Sequence, residues 1–173
     1  MQGIRWFIVG VVFFMGILMP ASSLRAEEAD APPQITADAA ILIEASTGRV
    51  LYEKNADEPH FPASTTKMMT CLLALENGNP DVSNTVSPTA ANIEDTELLV
   101  GDQLKLSELL QEMMLRSDNG AAEAVAEYLA SSDASFADKM NKKAQALGAS
   151  HTQFRNPHGL PDSQHYSTAR DMA

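Results

Sequence analysis

Apolar positions along this chain change their spacing several times, and each change marks an element. An uninterrupted apolar run extends from Trp6 to Met19 behind Arg5, and Pro20, Ala21, Ser22 and Ser23 follow it. The run falls short of the about 20 residues that a bilayer span needs, and its flanks have the layout of a secretory signal peptide. Residues 1–26 are therefore read as a signal peptide cleaved after Ala26 or Ser23, with a retained membrane anchor as the alternative. The acidic, proline-containing stretch 27–37 reads as a flexible lead-in. Two β-rich runs, Ala39–Glu44 and Arg49–Glu53, flank Ala45-Ser46-Thr47-Gly48 and predict a hairpin. Beyond them the period turns helical. Thr65–Glu76 is apolar on nearly every side, which predicts a helix buried at the centre of a domain. Leu106, Leu109, Leu110, Met113 and Met114 mark a one-sided helix with Ser107 as its N-cap, and Ala121, Ala124, Val125, Tyr128 and Leu129 repeat the pattern. Phe136, Met140, Ala144 and Leu147 predict a third such helix, ended by Gly148. Ala149–Ser167 reads as a long loop, after which Ser167 opens a helix at Thr168.

Composition narrows the function classes. The 173 residues suffice for one domain, or for one and part of a second. A net charge of −11 argues against a nucleic-acid partner, because phosphate binding needs clustered Lys and Arg. The lone Cys71 cannot form an internal disulfide, and no Cys/His spacing matches a structural zinc site. An ordinary apolar core must hold the fold, and export places its work outside the cytoplasmic membrane.

The chemistry starts from an oddity. The apolar Thr65–Glu76 segment opens on Ser64-Thr65-Thr66-Lys67, and a lysine is almost never buried without a partner or a purpose. Ser64 and Lys67, three residues apart, share one face of the first turn. Burial and the positive end of the helix dipole both lower the lysine pKa, so a neutral Lys67 could take the proton of Ser64 Oγ, while the helix end offers backbone N–H groups to an oxyanion. Chance alone supplies about half a Ser-x-x-Lys match in a chain of this composition, and the bland reading is a capping Ser64 with a snorkelling Lys67. Ser117-Asp118-Asn119 links two amphipathic helices, where it is either a polar turn with Asn119 or Ser117 as a cap, or a hydroxyl and an amide presented to a site.

The wider context resembles a known family. Pro62-Ala63-Ser64-Thr65-Thr66-Lys67-Met68-Met69-Thr70 is similar to the nucleophile segment of the serine-type D-alanyl-D-alanine carboxypeptidases, peptidase family S11, a group of low-molecular-mass penicillin-binding proteins. Leu115-Arg116-Ser117-Asp118-Asn119-Gly120-Ala121 resembles their second motif, and Phe154-Arg155-Asn156-Pro157-His158-Gly159-Leu160 with His165–Ala173 resembles the loop and helix that follow. The likeness implies an α+β, β-lactamase/D,D-peptidase-like fold, here an N-terminal hairpin plus a helical lobe, with residues 38–173 as an incomplete catalytic domain. It implies that Ser64 is acylated by the penultimate D-Ala carbonyl of a peptidoglycan stem peptide, with Lys67 as general base and Ser117 passing a proton to the leaving amine. Asn119 would hold the substrate amide, Asp118 would support, and β-lactams would stall as acyl-enzymes. No cofactor or metal is implied, and membrane contact is expected only through the signal segment or a C-terminal anchor absent from these residues.

His158 lies in Asn-Pro-His-Gly-Leu, where the resemblance implies that it borders the substrate, orienting the loop or assisting hydrolysis of the acyl-enzyme. His60, His151 and His165 read as surface or loop residues. The 173 residues contain no Lys-Thr-Gly, the family's third motif, so the chain is expected to be an N-terminal fragment or a natural truncation that is inactive as residues 27–173 alone. A class A β-lactamase is the nearer alternative, disfavoured because Ala149–Ala173 holds no glutamate. An inactive wall-binding remnant is the more distant one.

Overall fold

The computed structural model describes residues 34–173 together with Pro32. The signal-peptide reading and most of the lead-in lie outside the described residues. The first elements are strands β1 (Ala40–Glu44) and β2 (Arg49–Lys54), an antiparallel pair in which Leu42 faces Tyr52 and Ile43 faces Val50 across a bulge. Their turn closes on Glu44, whose carboxylate accepts from Ser46 and Thr47, and Gly48 supplies the left-handed residue at φ 71°. A 3-10 turn over Ala63–Thr66 then feeds helix α1 (Lys67–Asn77).

A second small sheet was not legible in the apolar pattern. Strands β3 (Ser83–Thr85) and β4 (Gln103–Lys105) pair antiparallel, with the short helix α2 (Pro88–Ala91) between them in sequence. Each has three residues, too few for alternation to register. Strand β4 runs directly into α3 (Leu106–Arg116), which moves the expected cap: Lys105, not Ser107, holds the N-cap position, and its N–H donates to Glu108 at 2.7 Å. Helices α4 (Asn119–Leu129) and α5 (Asp133–Leu147) follow as the spacing predicts, and Gly148 ends α5 at φ 89°. The last helix, α6 (Ala169–Met172), starts one residue later than expected, because Thr168 rather than Ser167 caps it by accepting from the Asp171 N–H.

The helix at the centre is α4, not α1. Residues 119–126 are buried without a break, while α1 exposes Met68 and Leu75 and buries only Lys67, Thr70, Leu73 and Ala74. Small side chains explain the exchange, since Gly120, Ala121, Ala122, Ala124 and Ala126 let neighbours approach on all sides. Leu106, Leu109 and Met113 of α3 join Ala121, Ala122, Ala124 and Val125 in one cluster with Ala74 of α1. Leu73, Ala126, Phe136, Met140, Ala144 and Phe154 make a second cluster. Leu147, expected on the apolar face of α5, is instead exposed at the rim of a cavity beside Met68, Met69 and Leu72.

Gly120 marks the tightest approach. A Cβ there would overlap the Ala90 carbonyl of α2 and Thr96 Oγ1. Alanine would gain about 1 kcal/mol of helix propensity, yet overpacking against a backbone carbonyl costs more. Gly120→Ala is expected to lower the unfolding free energy by about 2 kcal/mol in a urea titration.

Candidate active site

Three segments converge on one nitrogen. Lys67 Nζ donates to Asn119 Oδ1 at 2.6 Å and to the His158 carbonyl oxygen at 3.0 Å, and Ser64 Oγ lies 3.2 Å away. Lys67 itself is 2% exposed, whereas Ser64 faces solvent on the 3-10 turn. The Asn119 amide has a defined orientation, because its Nδ2 donates to the Glu94 carbonyl at 2.8 Å and so turns Oδ1 toward the lysine. One hydrogen of that Nδ2 is left over.

The proton arithmetic follows from the acceptors. Asn119 Oδ1 and the His158 carbonyl can only accept, so each requires a hydrogen from Nζ. A neutral amine has two hydrogens and one lone pair, and with both hydrogens so used the lone pair is left to Ser64. Burial lowers the Lys67 pKa from its ordinary value, and the carboxylates of Asp118 and Asp95 oppose that shift. Thus the arrangement can draw a proton from Ser64 Oγ. The amides of the turn are less free than the sequence suggested, since the Thr65 N–H donates to the Pro62 carbonyl and the Lys67 N–H to the Ser64 carbonyl.

Neighbouring side chains of α1 lock the loop to the turn that carries Ser64. Thr70 Oγ1 donates to the Pro157 carbonyl at 2.6 Å, one residue before the carbonyl that Lys67 holds. Gly159 adopts φ 90°, and a Cβ there would collide with the Ala63 carbonyl. Ala63 in turn sits at φ 46°, a conformation disfavoured for a side-chain-bearing residue, directly before Ser64. Hence the loop and the strained turn interlock through two backbones.

Ser117 makes no hydrogen bond to this cluster. It caps α3 in the left-handed conformation at φ 62°, is exposed, and its hydroxyl makes no hydrogen bond among the described residues. Asp118 between them, rather than Ser117 or Asn119, is the helix cap: it accepts from the Ala121 N–H at 2.7 Å, Thr96 Oγ1 at 2.8 Å and the Glu97 N–H at 3.0 Å. His158 contributes a buried ring as well as its carbonyl. Its Nδ1 accepts from the Leu160 N–H at 3.1 Å, so the neutral ring carries its proton on Nε2.

Two buried polar residues beside the site escaped the sequence reading. His165, expected as a surface or loop residue, does lie in the loop but is 2% exposed; Nδ1 accepts from the Arg155 N–H, and Nε2 meets Thr66 Oγ1 at 2.9 Å. Nothing in its neighbourhood of the sequence signals burial, because the partners lie on other segments. The other is Glu123, buried on α4 and 3.9 Å from His158 Nε2. Its signal was present: one acid inside the otherwise apolar run Gly120–Ala126.

Comparison with known proteins then decides the family. The model for D-alanyl-D-alanine carboxypeptidases of the peptidase S11 type matches residues 26–173. The chain belongs to this family. The D-alanyl-D-alanine carboxypeptidase DacF of Bacillus subtilis is 43% identical over 144 residues, covering 79% of this chain and 37% of its own length. DacA of Haemophilus influenzae, likewise a D-alanyl-D-alanine carboxypeptidase, is 35% identical over 170 residues, covering 91% of this chain and 43% of its own. Among solved structures, the carboxypeptidase DacD of Francisella tularensis superposes with a TM-score of 0.78 at 34% identity, over 83% of this chain and 36% of that one. The chain therefore spans well under half the length of these two curated relatives, and within that span its α+β fold is that of the D,D-peptidases.

The buried imidazoles set an acid limit on this member of the family. Burial, then the nearby Lys67 charge, pushes His158 down to about 4, with Asp133 opposing; burial also lowers His165. Below the ordinary value of 6.5 these histidines take up protons in the unfolded chain that they refuse in the folded one, so their contribution to stability falls as pH drops from 6.5 toward 4. The raised Glu123 carboxyl acts with the opposite sign over part of this range, so the histidine is read as a difference: urea titrations are expected to show His158→Asn, whose Oδ1 can replace Nδ1, gaining up to about 3 kcal/mol relative to wild type between pH 6.5 and 4.

Proposed function

We propose that this chain carries the acylation half of a serine D-alanyl-D-alanine carboxypeptidase acting on peptidoglycan stem peptides outside the cytoplasmic membrane. The observation that carries the reading is the contact of buried Lys67 Nζ with two acceptor-only partners and with Ser64 Oγ, an arrangement that leaves the lone pair of the neutral amine to Ser64. Ser64 Oγ attacks the carbonyl carbon of the penultimate D-alanine while its proton passes to Lys67 Nζ. The tetrahedral oxyanion then collapses, the C–N bond breaks, and the departing D-alanine nitrogen receives the proton from Lys67 by way of the Ser117 hydroxyl. Water hydrolyses the resulting ester and restores Ser64. A β-lactam ring opens by the same attack, with its nitrogen as the leaving group, and the tethered product keeps the ester in place.

Other residues hold rather than react. Asn119, with one amide hydrogen left over, binds a substrate carbonyl, and Asp118 fixes the start of α4 that positions it. His158 orients the loop: Nδ1 is occupied by the Leu160 N–H and Nε2–H points inward, so the ring has no free lone pair for a substrate. Residues 1–26 serve as the export signal and residues 38–173 as part of the catalytic domain. Among the described residues no helix is long and apolar enough to cross a membrane.

Incubating the full-length protein with a fluorescent penicillin and mapping the adduct by mass spectrometry tests the assignment. A stable adduct on Ser64 is expected, absent in Ser64→Ala and formed at least about a hundredfold more slowly in Lys67→Met. The wild-type rate should rise with pH as Lys67 loses its proton, at a midpoint below the ordinary lysine value of 10.5. An adduct on any residue but Ser64 would refute the reading.

A further inference from the structure

Glu123 is the one buried side chain whose polar atoms lack a hydrogen-bond partner among the described residues. It is 2% exposed, and it sits on the central helix four residues after Asn119, on the same side as that ligand of Lys67. An unpartnered carboxyl so placed is costly, and a buried imidazole lies beside it. His158 Nδ1 is committed to the Leu160 N–H, so Nε2 bears the hydrogen, and Nε2 lies 3.9 Å from Glu123 Oε2. A small rotation of the carboxyl, or one bridging water, closes that gap. On its far side the same residue already holds the site, since the His158 carbonyl accepts from Lys67 Nζ.

The geometry points to Glu123 as the positioning residue of the His158 loop: its carboxyl anchors the imidazole through Nε2–H, and the anchored residue keeps its carbonyl on Lys67. This inference rests on the carboxypeptidase reading above for its consequence, though not for its geometry. The groups around Glu123 come from four elements. Asp133 approaches from the start of α5, Glu127 from the next turn of α4 and His158 from the loop, while α2 contributes the uncharged Thr89 to the cleft outside. Burial raises the Glu123 pKa to about 8, helped by the neighbouring carboxylates of Asp133 and Glu127. With His158 at about 4, the two are neutral partners at pH 7, joined by a neutral hydrogen bond and not by an ion pair.

Two measurements on the full-length protein test this. Histidine-selective 15N NMR reads the ring directly: Nε2 is expected to stay protonated from pH 5 to 10, and both ring signals to move with a midpoint near 8 as Glu123 ionises. Glu123→Gln, which keeps an acceptor, should abolish that inflection. Penicillin acylation of Ser64 reads the consequence. Glu123→Leu, an apolar replacement of similar volume, is expected to acylate about tenfold more slowly with unchanged unfolding, and Glu123→Gln to recover most of the loss. Wild-type ring signals without the inflection, an inflection that survives in Glu123→Gln, or Glu123→Leu acylating at the wild-type rate would each overturn the proposal. Should Glu123→Leu not fold, the NMR comparison with Glu123→Gln decides alone. Failure of the wild type to form any adduct would instead sink the carboxypeptidase reading and leave the NMR result to judge Glu123.

Discussion

A primary amine buried without a carboxylate partner organises this protein. Lys67 takes its hydrogen-bond partners from three stretches of chain distant in sequence: its own turn, the start of α4 and the loop after α5. Burying an ammonium without a counter-ion costs several kcal/mol, and the group responds by easing toward its neutral form. The contacts around it are directional: in the neutral form each acceptor-only partner claims one hydrogen and the lone pair faces Ser64. The same bonds that make the burial tolerable therefore aim the lone pair, so that stability and reactivity share one set of contacts.

Everything that delivers those partners is built for close approach. The small side chains of α4 bring Asn119 within reach of α1 and still leave room for α2, where Gly120 meets the Ala90 carbonyl. The loop arrives at a fixed depth because Gly159 packs against the backbone of Ala63 and because Thr70 and Thr66 pin it on either side of Lys67. Three of the first residues of the α1 segment thus face inward as polar groups, and each has a partner. The apolar content of that helix lies further along, which is why its middle is partly open while its start is sealed.

Much of this was written in the chain and some was not. Ser64 and Lys67 stood out because a lysine opened an apolar segment at the spacing of one helical turn, and Asn119 because Ser117-Asp118-Asn119 links two amphipathic helices. The helices followed from periodicity, which reports which face is apolar but not how crowded the other side will be, so α1 was placed too deep and α4 too shallow. Strands of three residues leave no periodic trace, and β3 and β4 went unseen. His158 was noticed for its side chain, yet its firmest contact is a carbonyl that any residue possesses. His165 and Glu123 owe their burial to partners about 10 to 100 positions away, which no local window contains.

The dipeptide Asn119-Gly120 has a chemical consequence of its own. In an open chain, asparagine followed by glycine is prone to deamidation, because the next amide nitrogen attacks the side-chain carbonyl to close a succinimide. Here the helix fixes that nitrogen, and the side chain is held at both ends, by Lys67 and by the Glu94 carbonyl, so attack is blocked only while the site stays assembled. Each excursion to the unfolded state starts a clock. An Asp at this position would set a carboxylate against Lys67, hold the amine as ammonium and leave no lone pair for Ser64. The molecule thereby couples its chemical lifetime to the persistence of its own fold, and ageing would erase the site one irreversible event at a time.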